Sequence, residues 1–265
     1  MSRNIRLLIA YDGGNYLGWQ RQQWGETVQG TIEKRLTRLC SEPITLHGAG
    51  RTDTGVHALG MVAHFHTQTT MPVVAFFRGI NSMLPGDIRI LAAEEAPLTF
   101  HSRYSVQAKT YRYDFFTGGV QFPATRLHRA HLPGAFDSTR LTTALKSLVG
   151  THDFSSFERT GSRDKNAVGG RGAIRTLFQA SCYPQLGCAD YWSLRLAGNG
   201  FLRQMVRIIA GTLIEIAQGK RPIEELAAIL AAKDRSKAGL TAPACGLFLE
   251  KIYYPMPIFQ SRALP

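Results

Sequence analysis

The sequence is short of the features that build disulfide-bonded, zinc-bound or membrane-spanning proteins. Its four cysteines (Cys40, Cys182, Cys188 and Cys245) are scattered and form no CxxC pair, which excludes a zinc ribbon or a disulfide framework as the basis of the fold. No segment approaches the ~18 apolar residues of a membrane span, and the apolar run near the N-terminus is too short for a signal peptide. We therefore expect a reduced, cytoplasmic protein without a membrane segment.

Acidic residues are also few. The chain has 19 Asp and Glu against 31 Lys and Arg, a formal net charge of +12. A surplus of this size is typical of proteins that bind polyanions, because basic side chains displace the counterions condensed on a phosphate backbone. The alternative is a basic surface that is merely solvated, and composition leaves both open. Basic side chains that could contact a polyanion are Arg3, Arg21, Lys34, Arg35, Arg103, Arg112 and Arg163.

The hydrophobic pattern divides the 265 residues into two similar halves, 1–105 and 106–265. In the first half, Ile5, Leu7 and Ile9 alternate as in a strand, and Thr27 is placed to cap a helix. The pattern predicts strands over residues 5–11, 45–47, 61–66 and 88–92, and helices over 28–39 and 74–83. The order β-α-β-β-α-β is that of a ferredoxin-like unit.

The second half repeats this order. Ser138 is expected to cap a helix closed by Gly150 in the C′ position, and Pro222 to start a short helix. Strands are predicted over residues 109–116, 176–183, 192–196 and 247–253, with a further helix ending near Gly219. The sequence thus predicts an α+β fold of two ferredoxin-like halves, whose mainly antiparallel sheets adjoin with a ligand cleft between them. A basic, glycine-rich loop over residues 161–172 either contacts RNA or is solvated.

The loop from Gly48 to Gly60 carries an arginine, an aspartate and a histidine among glycines that permit tight turns. Arg51 and Asp53 are two residues apart, so an extended segment would send both side chains to the same side. A guanidinium beside the carboxylate would keep it ionised, as a nucleophile or general base requires. The alternative is a structural Asx turn with Arg51 as the ion-pair partner.

Residues 50–57, Gly-Arg-Thr-Asp-Thr-Gly-Val-His, resemble the GRTDxGVH signature of the bacterial TruA family of tRNA pseudouridine synthases. Further stretches resemble the family in the same order along nearly the whole chain. They are Tyr11-Asp12-Gly13, Gly18-Trp19-Gln20, Asn81, Leu84-Pro85, Asp87-Ile88, Phe100 to Tyr104, Lys109 to Tyr113, His152 to Phe157, Phe201-Leu202, Met205 to Arg207, Gly246 to Leu249 and Tyr254-Pro255.

The resemblance implies an isomerase that converts uridine to pseudouridine in the anticodon arm of tRNA, at positions 38, 39 and 40. It makes Asp53 the catalytic aspartate, Arg51 its charge partner or a phosphate contact, and Tyr111 the residue that stacks on the target base. Arg207 would join the cleft beside Asp53, and Leu247 would form part of its apolar wall. The family is homodimeric, and the reaction needs neither a cofactor nor a metal.

Several alternatives stay open on the residues alone. Tyr111 shares a strand face with Tyr113 and Phe115, which is equally typical of a core row. His64 and His66 could chelate a metal, although nothing in the sequence has the spacing to complete such a site. Cys182 and Cys188 are expected to be buried free thiols.

Two other functions compete with the isomerase. A non-catalytic tRNA-binding or RNA-folding protein would explain the charge, and a nuclease or glycosidase would use Asp53 with a second carboxylate or a metal.

Overall fold

The computed structural model describes residues 2–162 and 172–259. The chain divides into two compact units: unit 1, Met1–Lys109 with Phe248–Pro265, and unit 2, Thr110–Leu247. Within the described ranges the architecture is mixed α/β, with ten mostly antiparallel strands and five α-helices, and none of these helices is long and apolar enough to cross a membrane. Most of the expected basic loop, including Arg163, Lys165 and Arg171, lies outside the described residues.

Unit 1 is built on a sheet in the order β4-β1-β3-β10, with β2 paired to β3. Its elements are β1 (Arg3–Tyr11), α1 (Val28–Cys40), β2 (His47–Gly48), β3 (His57–Thr67), α2 (Val73–Met83), β4 (Ile88–Ala96) and β10 (Leu247–Tyr253). Strand β1 is antiparallel to both β3 and β4, whereas β10 is parallel to β3, with Phe248 opposite His57. The element order predicted for residues 5–92 is confirmed.

The core of unit 1 follows the predicted periodicities. Ile5, Leu7 and Ile9 are fully buried on β1, and Phe65 of β3 meets Phe76 of α2 edge to face at 5.4 Å between ring centroids. Burying a side chain of this size contributes about 1.5–3 kcal/mol, so the apolar positions of the strands and helices hold the sheet and its helices together.

Helix α1 begins where the sequence predicted. Thr27 has extended backbone angles, and its side chain accepts a hydrogen bond from the backbone N–H of Gly30 at 3.3 Å. This satisfies one of the amide groups that the first turn of a helix leaves without a partner.

Unit 2 has the strand order β5-β9-β8-β7, with β6 parallel to β5. Its elements are β5 (Ala108–Phe116), β6 (Ala130–His131), α3 (Ser138–Leu145), β7 (Gly150–Asp153), β8 (Ile174–Pro184), β9 (Tyr191–Gly198), α4 (Met205–Ala217) and α5 (Glu225–Ala232). Helix α4 is buried on nearly every side. At Gly211 an added Cβ would lie 1.9 Å from the carbonyl oxygen of Leu240, so only glycine permits this approach of the backbones.

Two predictions for α3 were wrong. The cap is Asp137, whose Oδ1 accepts hydrogen bonds from the backbone N–H groups of Thr139 and Arg140, so Ser138 is the first helical residue. The helix also ends at Leu145, and Gly150 opens strand β7 with a φ of +117° instead of closing the helix. Residues Lys146–Leu148 form a single 3-10 turn after the helix, and the pairing of Gly150 with Leu177 places Gly150 in the sheet.

Candidate active site

The Asp53 loop, defined here as residues 49–56, joins β2 to β3 in unit 1. Its first residue is held from two directions. The backbone N–H of Ala49 donates to the carbonyl of Val62 at 2.8 Å, and the Lys109 ammonium donates to the carbonyl of Ala49 at 2.9 Å. Because a hydrogen bond from a charged donor is stronger than a neutral one, Lys109 fixes the start of the loop.

Asp53 opens a tight turn. The backbone N–H of Val56 donates to the carbonyl of Asp53 at 3.1 Å, and Gly55, inside the turn, has a φ of +75° that favours glycine. The Asp53 side chain is partly exposed, while Arg51 and Thr54 are exposed. The loop therefore leaves Asp53 partly accessible.

The backbone of the loop rests on the segment Gly18–Trp19. An added Cβ at Gly18 would lie 2.5 Å from the carbonyl oxygen of Thr52 and 3.0 Å from the carbonyl carbon of Asp53. The backbone N–H of Trp19 donates to the same oxygen of Thr52 at 3.1 Å. A side chain at position 18 would therefore push the backbone beside Asp53 out of place.

Thr52 anchors the loop from below. Its side chain is buried, and its hydroxyl lies 2.8 Å from the hydroxyl of Tyr11, in a hydrogen bond that either group can donate. The ring of Tyr11 lies 6.0 Å from that of Trp19. A buried hydrogen bond of this kind contributes about 1 kcal/mol, and here it ties the neighbour of Asp53 to the end of β1.

His57 fixes the other end of the loop. Its ring is buried, and Nδ1 lies 3.1 Å from the backbone nitrogen of Gly13 and 3.0 Å from Oδ1 of Asp12. The same ring stacks on Phe248 with centroids 4.7 Å apart. The loop is thus held at its start, middle and end by residues far from it in the sequence.

Sequence reasoning assigned no role to these supporting residues. The sequence placed Tyr11 and Lys109 in strands and Gly13 in a turn, and Gly18 and Trp19 were matched only to a family motif. The signal that could have identified them is the family resemblance of Tyr11-Asp12-Gly13 and Gly18-Trp19-Gln20, which indicates that these stretches serve the same site as the loop.

The other three predicted site residues lie in unit 2. Tyr111 on β5 is 8% exposed and meets Phe201 edge to face at 4.9 Å. Its neighbour Tyr113 is fully buried, and the Tyr113 hydroxyl donates to the carbonyl of Pro243 at 2.9 Å. Tyr113 is therefore a core residue, whereas Tyr111 keeps a small accessible face.

Arg207 and Leu247 both belong to unit 2, and Leu247 is its last residue. Arg207 lies in the first turn of α4, and its Nε donates to the carbonyl of Ala242 at 2.8 Å. Leu247 is the first residue of β10 and is 6% exposed. The five predicted site residues are thus divided: Asp53 and Arg51 belong to unit 1, and the other three to unit 2.

Four of the basic side chains considered for RNA binding are engaged within the protein. Arg3 pairs with Glu95 at 2.9 Å, and Arg112 pairs with Asp114 at 3.1 Å. Arg21 pairs with Glu33 at 3.5 Å, and the Nε of Arg35 donates to the carbonyl of Met83 at 3.3 Å. Arg103 is exposed. The four engaged arginines are therefore less available to a polyanion than the net charge alone would indicate.

The remaining reactive side chains are also placed. His64 is 1% exposed, and its Nδ1 accepts the backbone N–H of Ser102 at 3.2 Å, while His66 is exposed. Cys182 and Cys188 are free thiols of intermediate burial, and burial raises the pKa of Cys182 to about 12. The Cys182 thiol is therefore protonated at neutral pH.

Comparison with known proteins connects this arrangement to one family. A family model described as tRNA pseudouridine synthase matches residues 7–105 and 144–255, and the match includes the Asp53 loop. The crystal structure of a Cbf5-Nop10-Gar1 complex aligns over 91% of this chain and 56% of that chain with a TM-score of 0.34 and 10% identity, which is too distant to support an argument.

Three curated relatives illustrate the similarity. The chain is 50% identical over 252 residues to tRNA pseudouridine synthase A 1 of Desulfotalea psychrophila, and 43% identical over 252 residues to tRNA pseudouridine synthase A of Geotalea uraniireducens. It is 41% identical over 256 residues to tRNA pseudouridine synthase A 2 of Clostridium tetani. These matches cover 95–96% of this chain and 100% of each relative. The chain therefore belongs to the tRNA pseudouridine synthase family.

Proposed function

We propose that this protein is an isomerase that converts uridine to pseudouridine in the anticodon stem-loop of tRNA, at positions 38, 39 and 40. Membership of the family supports both the reaction and tRNA as the substrate. The position of the target uridines rests on the resemblance of the motifs to the TruA family. The observation that supports the role of Asp53 is a carboxylate on a partly exposed turn that is held from three sides.

The reaction explains why one carboxylate is the central group. Pseudouridine formation breaks the N1–C1′ bond of the uridine, turns the uracil and rejoins it to C1′ through C5. C5 loses its proton and N1 gains one, so the product is an isomer of the substrate. Nothing is oxidised and no group enters from outside, so the reaction itself requires neither a cofactor nor a metal. The protein must supply a carboxylate, Asp53, within reach of the ribose and the base.

Rigid support of Asp53 is the second element of the mechanism. A catalytic group that is already in position avoids much of the entropic cost of orienting it against the substrate. Thr52, Gly18 and Lys109 supply that support through the contacts described above. Arg51 is exposed two residues before Asp53, and we assign it to the charge balance of this carboxylate or to a tRNA phosphate.

The target base has to leave its stack before Asp53 can reach it, which costs a few kcal/mol. An aromatic side chain offsets part of this cost, because stacking on a base contributes about 1–3 kcal/mol. We assign this role to Tyr111, whose ring is held edge to face by Phe201.

Arg207 and Leu247 complete the proposed set. Arg207 lies in the first turn of α4, where its Nε donates to the carbonyl of Ala242, and we assign its charge to a tRNA phosphate or to the Asp53 carboxylate. Leu247, at the start of β10 and nearly buried, supplies an apolar wall beside the base.

The wider organisation is part of the same proposal. The proposed halves are residues 1–105, which carry the catalytic loop, and residues 106–265, which complete the RNA-binding surface, each in ferredoxin-like order. Strand β10 of the second half pairs with β3 and so belongs to unit 1. The β-α-β-β-α-β order of β1 to β4 supports this description for the first half. The protein works in the cytoplasm as a homodimer bound to tRNA, as the family resemblance implies.

The direct test of Asp53 is its replacement by asparagine, which keeps the shape of the side chain and removes its charge. Asp53→Asn should abolish pseudouridine in a single-turnover assay with unmodified tRNA while tRNA affinity stays within a few-fold of wild type. Retained turnover would remove Asp53 from the mechanism. A wild-type protein that binds tRNA without forming pseudouridine would instead favour a non-catalytic RNA-binding function.

A further inference from the structure

A cluster of aromatic rings in unit 1 has no part in the function proposed above. Its members, here called the histidine–tyrosine cluster, are His47 of β2, His64 and His66 of β3, and His101 and Tyr104 from the segment before β5. Ring centroids are 5.1 Å apart between His47 and His64, 4.6 Å between His64 and His101, and 4.2 Å between His101 and Tyr104. The rings therefore form a continuous series in which buried His64 links exposed His47 to His101 and to exposed Tyr104.

Tyr104 ends this series at the surface. Its ring lies against His101 at an interplanar angle of 30°, yet the residue is 78% exposed. A single exposed aromatic side chain is common and needs no explanation. Here, however, the ring is held by His101 on one side, and its high exposure leaves room for another planar group.

The backbone fixes the orientation of the His101 ring. Its Nδ1 accepts hydrogen bonds from the backbone N–H groups of Arg103 and Tyr104, at 3.1 and 3.3 Å. Burial, His47 and Arg103 lower the pKa of His101, so the ring is neutral at pH 7, with its proton on Nε2. Tyr104 is thus stacked on a ring whose position and protonation are set before any ligand arrives.

Ser102 holds the same segment against the sheet. Its backbone N–H donates to Nδ1 of His64 at 3.2 Å, and its hydroxyl donates to the carbonyl of His47 at 2.5 Å. The hydroxyl of Tyr254 donates to the carbonyl of Ser102 at 2.6 Å. Because a surface that is already ordered loses little conformational entropy on binding, this rigidity favours a binding role.

The charges around the cluster select the kind of ligand. The charged groups that act on His64 and His101 are other histidines of the cluster and Arg103. Arg103 is exposed, and its guanidinium carbon lies 5.9 Å from the centroid of the Tyr104 ring. An open aromatic face beside an arginine fits a ligand that carries a planar ring next to an anion.

We propose that the histidine–tyrosine cluster is a second contact surface for tRNA, on which Tyr104 stacks on an unpaired base and Arg103 contacts the adjoining phosphate. A nucleotide combines a planar base and a phosphate at the spacing that a ring and a guanidinium recognise together. The inference rests on the proposed function, because that function supplies tRNA as the partner. The surface contributes affinity and placement of the tRNA, and it takes no part in the chemical step.

The test compares tRNA affinity across matched variants of the full chain, with an unmodified tRNA transcript as the probe. Tyr104→Ala should weaken binding between about 5- and 150-fold, the range that follows from the loss of one base stack. Tyr104→Phe keeps the ring and should bind within about twofold of wild type. Leu98→Ala removes an apolar side chain that is 61% exposed in the same unit outside the cluster, and it should leave affinity unchanged.

Salt dependence separates the two proposed contacts. Arg103→Gln should reduce the slope of log affinity against log salt by about one, because one phosphate contact is lost. Tyr104→Ala should weaken binding without changing this slope, since stacking releases no counterion. At saturating tRNA, the single-turnover rate of Tyr104→Ala should equal that of wild type.

Three results would overturn the proposal: wild-type affinity in Tyr104→Ala, equal losses in Tyr104→Ala and Tyr104→Phe, or a changed oligomeric mass with unchanged tRNA affinity. The last would assign the surface to a protein contact. Failure of the proposed function is measured separately, as an absence of pseudouridine with the wild-type protein. The comparison of tRNA affinity between these variants does not depend on that result.

Discussion

The buried histidine of the cluster makes the stability of this protein depend on pH in a predictable way. Burial in the sheet, followed by the charges of His101, His47 and His66, lowers the pKa of His64 to about 3 from its ordinary value of 6.5. Between those two values the unfolded chain binds a proton that the folded chain does not. The free energy of unfolding therefore falls as the pH drops from about 6.5 towards 3.

The size of the effect follows from the two pKa values. For a single site with these values, proton linkage lowers the free energy of unfolding by about 2 kcal/mol between pH 7 and pH 5. The matched variant is His64→Asn, because its amide oxygen can accept the backbone N–H of Ser102 that Nδ1 of His64 accepts now, and it does not titrate in this range.

Urea unfolding at pH 5, 6, 7 and 8 measures the effect for both proteins. Packing lost in the variant lowers its free energy of unfolding equally at every pH. The missing titration instead changes how steeply the free energy of unfolding depends on pH. We expect wild type to lose about 2 kcal/mol more than His64→Asn between pH 7 and pH 5. Parallel curves for the two proteins would refute the reasoning that burial keeps His64 neutral.

Other predictions concern the loop and its substrate. Gly13→Ala places a Cβ 2.0 Å from the carbonyl oxygen of Val56, and in a urea titration it should lower the free energy of unfolding by roughly 3 kcal/mol. The control is Gly86→Ala, which has no atom within 4 Å of the added Cβ and should stay within about 0.5 kcal/mol of wild type. In a double-mutant cycle, Tyr11→Phe and Thr52→Val should give a coupling energy of about 0.5–1.5 kcal/mol from their 2.8 Å hydrogen bond, and zero coupling would argue that the bond contributes nothing. The affinity for tRNA should fall steeply with added salt in a filter-binding titration, and salt-independent binding would count against a basic docking surface.

Local signals in the sequence predicted most elements of the fold. The helix after Thr27 begins at Val28 as its cap indicated, and the strand over residues 247–253 has the predicted bounds. The error at α3 has a simple reason: Asp137 and Ser138 are both good capping residues, and only the structure shows which side chain reaches the free amides. Gly150 fits a helix end and a strand start equally well on local grounds.

For the candidate site, the sequence predicted the loop but not what holds it. The loop stood out because it carries an arginine, an aspartate and a histidine among glycines, and the resemblance of residues 50–57 to the family signature singled out Asp53. Its supports come from elsewhere in the chain: Tyr11 reaches Thr52 from the end of β1, and Lys109 reaches Ala49 from the start of β5. Such contacts are set by tertiary packing, which periodicity and spacing along the sequence do not encode.

The central claim is that this protein makes pseudouridine in the anticodon stem-loop of tRNA with Asp53 as the catalytic carboxylate. The most direct measurement incubates unmodified tRNA with wild type and with Asp53→Asn, then maps pseudouridine by position. We predict pseudouridine at positions 38, 39 and 40 with wild type and none with the variant. Pseudouridine elsewhere in the tRNA, or equal modification by both proteins, would contradict the account.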